Sequence, residues 1–293
     1  MSEHIPVMIT EALQFLSSPK VVVDCTLGLG GYAGKILCEF TDSVVYGIDQ
    51  DGEAIDEAKS NLREYGDRFI PLRGNYCDLE GLLAPYDIRK ADAFFFDLGV
   101  SNMQLSAPER GFAFQLEGPL DMRMNKDTGE PASVAVNTLS AKKLADIFQK
   151  YGEEKFAWRI ACGIENKRKK DRIETTEQLV SLIREILPAP VQRKMGGHPA
   201  RRVFQALRIY VNRELDALSG GLAACVKLAS AGTVVVVVDY HSLEDRIVKH
   251  TFLQWKHEDR GEILTKHPVL PSDEETASNY KSRSAKLRAF RFM

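Results

Sequence analysis

The chain has 293 residues, 44% of them hydrophobic and 27% charged, which suits a globular protein with a sizeable core. A formal net charge of −2 excludes a protein that is basic throughout, so bulk charge names no polyanion partner. No apolar run is long enough to span a membrane and the start carries no basic-then-apolar signal pattern, so the chain reads as soluble and cytoplasmic.

From the N-terminus, Met8–Leu16 has apolar residues at helical spacing. A βα rhythm follows. The first strand, about Lys20–Cys25, runs into the glycines Gly28, Gly30 and Gly31, and a helix continues to Phe40. The second strand, Ser43–Ile48, leads to a helix over Gly52–Tyr65 that Asp51 caps. A third strand at Phe69–Arg73 and a short helix near Leu79 precede a fourth at Ala91–Asp97. Three of these strands are unbroken apolar runs ending in an acid: Asp24, Asp49 and Asp97. Unbroken apolar runs mark strands buried on both faces, and ligands of such sheets sit at the carboxyl ends of the strands. Three carboxylates and a glycine loop therefore meet at one crevice.

The rhythm stops after Gln104. Residues 105–199 contain no valine- or isoleucine-rich run and carry helical patterns at Ala141–Tyr151, Glu153–Lys169 and Thr176–Leu187. They read as an inserted all-helical domain, with Gly196–Pro199 as the exit linker. The outer domain, 1–104 and 200–293, resumes with one amphipathic helix over Ala200–Leu218, whose stripe is Val203, Phe204, Leu207, Val211, Leu215 and Leu218. A second helix reaches Gly232. A fifth strand at Thr233–Asp239, a helix at Leu243–Trp255 and a tail strand at Ser284–Phe290 complete it. The fold class is α/β, a doubly wound, mostly parallel sheet with a helical insert.

Charge is unevenly spread. Lys155–Arg213 holds fourteen Lys and Arg against five Asp and Glu, and Asn279–Met293 holds five basic residues and no acid. This suggests an anionic partner for part of the surface. The five cysteines (Cys25, Cys38, Cys77, Cys162, Cys225) form no C-x-x-C pair and read as buried reduced thiols, and the six histidines lack ligand spacing, so no metal site is expected.

Gly28-x-Gly30-x-x-Ala33 fits the dinucleotide loop pattern, and Asp49 lies nineteen residues beyond Gly30, where an acceptor for ribose hydroxyls belongs. Asp24 tilts the reading. An acid ending the first strand before G-x-G is the usual opening of S-adenosylmethionine methyltransferases, where the carboxylate meets a cationic methionyl end. A pyrophosphate at this turn would be repelled. A nicotinamide-dependent oxidoreductase stays open as the alternative. Asp97-Leu98-Gly99-Val100 ends the fourth strand in a corner that faces cofactor and target nitrogen in many amino-group methyltransferases. Ser242 with Asp245 forms a capping pattern that accounts for Ser242 and leaves His241 unexplained.

Taken in order, Asp24–Gly31 (DCTLGLGG), Asp97–Ser101 (DLGVS), Glu109–Phe112 (ERGF), Gly118–Met124 (GPLDMRM), Tyr151–Glu154 (YGEE), Phe204–Arg208 (FQALR), His241–Arg246 (HSLEDR) and Ser282–Arg288 (SRSAKLR) are eight motifs together. In these the chain resembles the bacterial 16S rRNA cytosine-N4 methyltransferases, from His4-Ile5-Pro6 to Arg288. The resemblance implies a Rossmann-like class I methyltransferase that uses S-adenosylmethionine. The implied target is the N4 amino group of a cytidine at the decoding centre of the small ribosomal subunit. It implies cofactor contacts at Gly30, Gly31, Tyr32, Asp49, Tyr76, Asp97 and Gln104, and dimerisation rests on it alone. The chain departs from the family at Tyr32 (usually His), Tyr240 (usually Phe), Tyr280 (usually Pro) and Asp239 (usually small and polar). At Tyr32 only a backbone contact is expected to survive.

Methylating an exocyclic amine requires its lone pair to be freed from the ring and aimed, a task for a hydrogen-bond acceptor. Asp97 or Asp121 is the expected acceptor, with His241 holding the base or relaying a proton. Lys169, Lys170, Arg201, Arg202, Arg283 and Lys286 are the expected phosphate contacts. A non-catalytic RNA-binding assembly factor, or a methyltransferase for DNA or another RNA, would share the fold.

Overall fold

In a computed structural model the acid-terminated runs become neighbouring parallel strands. The structure describes residues 6–293, with Tyr280 and Lys281 described by backbone alone; His4, Ile5 and the Tyr280 side chain lie outside the described residues. The strands are β1 (Val21–Asp24), β2 (Val44–Asp49), β3 (Phe69–Arg73), β4 (Ala93–Asp97), β5 (Val234–Asp239), β6 (Gly261–Ile263) and β7 (Lys286–Phe292). They form one sheet in the order β3-β2-β1-β4-β5-β7-β6, with the first five parallel. β7 runs antiparallel between β5 and β6. The chain reverses strand order at β1 and β4, which is where a doubly wound sheet opens its ligand crevice.

The apolar runs lack alternation because both faces of the sheet are covered. Val234, Val236 and Val238 pack into one core with Val22, Phe95, Ile36, Leu37 and Ala58. Val235 and Val237 point the other way, into a core with Val23, Phe94, Phe96, Leu222 and Phe252. Each fully buried valine contributes about 1.5–3 kcal/mol by transfer from water, so β5, buried at all six positions, anchors the centre of the sheet.

The chain divides into two compact units. One comprises the residues up to Gly99 together with Leu215–Met293 and carries the sheet; the other is Val100–Glu214. The second unit is helical, with helices at Ala132–Thr138, Ala141–Gly152, Ala157–Arg168, Thr176–Ile186, Ala189–Lys194 and Arg201–Asn212 around their own core. Its limits differ from the expected 105 and 199. The helix Arg201–Asn212 belongs to the helical unit, because Val203, Phe204, Ala206 and Leu207 are buried there with Leu144 and Phe148. Gly152 permits that approach: a Cβ on it would lie 2.5 Å from the carbonyl oxygen of Arg202.

Two expected helices also change. The expected helix over Ala200–Leu218 is broken at Arg213, which adopts a left-handed φ of 51° and caps the first segment. The apolar stripe continues across the break and hides it. Arg208 spans the corner, donating from Nε and Nη2 to the two carboxylate oxygens of Glu214 at 2.8 Å each. Glu153 does not start a helix; it ends Ala141–Gly152 in a left-handed conformation, and the next helix begins at Ala157. Glu154 is buried between them and accepts from the Phe156 N–H at 2.9 Å. Cys25 and Cys225 are buried free thiols as expected, whereas Cys38 and Cys77 are exposed. Among the described residues no helix is long and apolar enough to cross a membrane.

Candidate active site

Strand pairing places Asp24 opposite Phe95 on β4, two residues before Asp97, so the ends of β1 and β4 lie side by side. The turn after β1 returns a hydrogen bond to this corner, with the Asp97 N–H donating to Thr26 Oγ1 at 2.6 Å. Gly28 and Gly30 hold the loop in left-handed conformations (φ 51° and 87°) that side chains rarely adopt. The Gly28 N–H donates to Asp49 Oδ2 at 2.9 Å, fastening the loop to the end of β2. The helix Gly31–Glu39 starts directly from this turn.

The three carboxylates share one electrostatic field. Asp24 is 1% exposed; its Oδ1 accepts from the Thr26 N–H at 3.2 Å, and its Oδ2 has no hydrogen-bond partner among the described residues. Burial, then the negative charges of Asp97 and Asp49, push its carboxyl up to about 7. Burial also pushes Asp49 up to about 6, against the pull of the Asp51 and Gly28 N–H donors. Among the described residues no Lys or Arg forms an ion pair with Asp24 or Asp49. A crevice with a buried, unpartnered carboxylate oxygen and acids at three strand ends favours a cationic ligand. A pyrophosphate would add negative charge to negative charge. The charge of these groups suits the sulfonium and ammonium of S-adenosylmethionine better than the pyrophosphate of a dinucleotide.

The expected site residues divide between the two units. Gly30, Gly31, Tyr32, Asp49, Tyr76, Asp97 and His241 belong to the sheet unit, and Gln104 and Asp121 to the helical unit. Tyr32 is 5% exposed; its hydroxyl donates to the Val7 carbonyl and its ring packs on Phe95, so its side chain is part of the core. The Tyr76 ring meets Phe96 edge-on at 5.5 Å in the short turn after β3. Gln104 closes a capping box with Ser101. Asp121 is forked by Arg123, whose Nε and Nη2 each donate to it at 2.8 Å. Burial raises the Asp121 carboxyl, yet the Arg123 hydrogen bonds and charge outweigh it and the net direction is down. Both oxygens of Asp121 are thus occupied, which weakens it as an acceptor for an amine.

His241 is a correction to the capping pattern. It is the N-cap of the helix Ser242–His257, with Nδ1 accepting from the Glu244 N–H at 3.4 Å, and Ser242 is the first helical residue. Its Nε2 lies 3.2 Å from Glu244 Oε1, out of hydrogen-bond alignment. The cap explains the histidine that the Ser–Asp spacing left unexplained. Of the expected phosphate contacts, Lys169, Lys170, Arg201 and Arg283 are exposed. Arg202 is partly buried, with Nη1 3.5 Å from the Glu153 carbonyl. Lys286 is paired, donating to Asp245 at 3.0 Å beside Arg288 at 2.7 Å, so its charge is largely spent within the fold.

Residues 1–293 match the model of the MraW methylase family. The chain belongs to the MraW methylase family. It is 44% identical to a protein of Thermomicrobium roseum over 98% of this chain and 92% of that one. It is 40% identical to one of Halothermothrix orenii over 98% of both chains, and 42% identical to one of Persephonella marina, again over 98% of both. All three are named ribosomal RNA small subunit methyltransferase H. Membership of this methylase family agrees with the Rossmann-like sheet and the cation-accepting crevice, and the protein is a methyltransferase.

Two groups at this edge of the family fold stand outside the expected site. Tyr240 donates from its hydroxyl to Asp97 Oδ1 at 2.6 Å. Asp239, the last residue of β5, is 0% exposed with neither carboxylate oxygen hydrogen-bonded among the described residues. The only signal in the sequence is that both positions differ from the residues the resemblance implies. The partner of Tyr240 follows from strand order, which pairs Asp97 with Val238 two residues earlier.

Proposed function

We propose that this protein transfers the methyl group of S-adenosylmethionine to the exocyclic N4 amino group of a cytidine in 16S rRNA, at the decoding centre of the small ribosomal subunit, in the cytoplasm. The observation that supports the donor is Asp24: a buried carboxylate beside two further acids, with one oxygen unpartnered and no basic counterion among the described residues. The relatives named above, which are small-subunit rRNA methyltransferases by name, support the acceptor. S-adenosylmethionine, when bound, supplies an electrophilic methyl group on a sulfonium. Asp24 would neutralise its methionyl ammonium, Asp49 would accept from its ribose hydroxyls, Tyr76 would lie against its adenine, and the backbone at Gly30 and Gly31 would line it.

The remaining work of the chain is positioning. A cytosine amine donates its lone pair to the ring and is a poor nucleophile. Asp97, accepting a hydrogen bond from that amine, would turn the lone pair out of plane and stabilise the positive charge that grows on nitrogen. We prefer Asp97 to Asp121 because the guanidinium of Arg123 already occupies Asp121. His241 would hold its helix rather than carry a proton. Single-stranded rRNA segments can present a base edge to such a site, and the exposed Lys169, Lys170, Arg201 and Arg283 would meet phosphates.

Titration of the purified protein with S-adenosylmethionine and with NAD, together with tritiated methyl transfer to small ribosomal subunits, tests this reading. Binding of the first ligand alone, with label entering rRNA, is expected. Binding of NAD, or a bound donor with no transfer to any rRNA, would overturn it.

A further inference from the structure

The end of β5 holds a second device aimed at Asp97. The Tyr240 ring sits against the turn after β4; a Cβ on Gly99, which has a φ of 99°, would lie 3.6 Å from Tyr240 Cδ2. The tyrosine N–H donates to Glu244 Oε2 at 3.1 Å, which ties its backbone to the helix that follows. From this seat the hydroxyl reaches Asp97 Oδ1 at 2.6 Å, in the range of short, charge-assisted O–H···O⁻ bonds, which are roughly twice as strong as neutral ones. On the other side the Asp97 backbone is held by Thr26 Oγ1. Burial and the Asp97 charge hold the phenol well above its usual range, so it remains a donor at every working pH. A carboxylate fixed at both backbone and side chain has one orientation to offer.

We propose that Tyr240 is a positioning residue for methyl transfer: its hydroxyl holds the Asp97 carboxylate in a single orientation toward the target amine. The proposal rests on the reading of Asp97 as the amine's acceptor. The hydroxyl contributes no atom to the reaction and moves no proton. It keeps the carboxylate ionised and aimed, so its loss is felt in turnover more than in donor binding. Misorientation of a positioning group by about an ångström costs on the order of 100-fold in rate.

Tyr240→Phe keeps the ring on Gly99 and removes only the hydroxyl. Two measurements are made on this variant and on the wild type. The first is the titration of the Asp97 carboxyl in the free protein, followed by carbon NMR with labelled aspartate and assigned through Asp97→Asn. Loss of a hydrogen bond to a charged group is expected to raise that midpoint by about one pH unit or more. The second is the pH profile of methyl transfer. The kcat of the variant is expected to fall about 10- to 100-fold, its acid limb to move to higher pH with the carboxyl, and the donor KM to stay within about threefold. In an Asp97→Asn background Tyr240→Phe should cost nothing further. An unmoved titration midpoint, or a moved midpoint with wild-type kcat, overturns the proposal. So does a kcat loss whose pH profile stays in place. The titration does not depend on activity, so a moved midpoint in a protein that transfers no methyl group would condemn the reading of the reaction while leaving the hydrogen bond standing.

Discussion

Asp239 makes the folded protein pay for ionisation, and replacing it should show how much. The residue ends β5, opposite Lys286 of β7, fully buried and with neither oxygen hydrogen-bonded among the described residues. Burial, then the negative charges of Glu244 and Asp245, push its carboxyl up to about 8, against the pull of Lys286 and Arg288. In the unfolded chain the same group titrates near 3.9. The folded form therefore binds the proton more tightly, and stability is lost as pH rises from the unfolded value through the folded one. At about 1.4 kcal/mol per unit, the loss is roughly 1–2 kcal/mol by pH 5 and roughly 5 kcal/mol by pH 8. Asp239→Asn keeps the shape and removes the titration. Its stability relative to wild type should rise by about 4 kcal/mol between pH 5 and pH 8, whatever constant offset the buried amide adds. Urea unfolding of both proteins at four pH values in that window measures the difference. Asp24 and Asp49 titrate in both and cancel. Parallel stability curves, or a gap that narrows as pH rises, would refute the reasoning.

Other expectations follow from the same geometry. Because Asp24 sits near 7 and a cationic donor favours its ionised form, donor affinity should rise about fivefold from pH 6 to 7 and level off above, with proton release seen by calorimetry in buffers of different ionisation heat; an affinity independent of pH would remove Asp24 from the site. Asp121→Ala and Arg123→Ala should each destabilise the protein by about 1–3 kcal/mol, and the double variant by hardly more than either, as measured by denaturant midpoints; full additivity would mean the fork is not one interaction. Replacing Lys169, Lys170 and Arg201 by alanine should flatten the salt dependence of rRNA binding by roughly 0.7 per lost contact for single-stranded RNA. Filter binding across a salt series would show it, and an unchanged slope would place those side chains away from phosphate.

The parts of the fold legible in sequence were those whose signal is continuous. β1, β2, β4 and β5 announce themselves as apolar runs because both faces of each are buried. β6 has three residues, Gly261–Ile263, too few to show any period. The break at Arg213 was hidden because Val211, Leu215 and Leu218 keep the apolar stripe while a non-glycine residue takes the left-handed turn. The limits of the helical unit shifted for the same reason, since the stripe of Arg201–Asn212 fits either core and only packing decides. At the site, three acids at strand ends were readable from spacing. His241 as a cap was not, because histidine is seldom an N-cap residue. The Tyr240–Asp97 bond joins residues far apart in sequence and needed the strand order.

The central claim is that this acidic crevice delivers a methyl group to a cytidine amine of small-subunit rRNA. Mass spectrometry of nucleosides from 16S rRNA, taken from cells with the gene intact, deleted, and restored with wild type or Asp97→Ala, tests it most directly. The account predicts an N4-methylated cytidine that disappears on deletion, returns with wild type and stays absent with Asp97→Ala. Retention of that nucleoside after deletion, or its full return with Asp97→Ala, would contradict it.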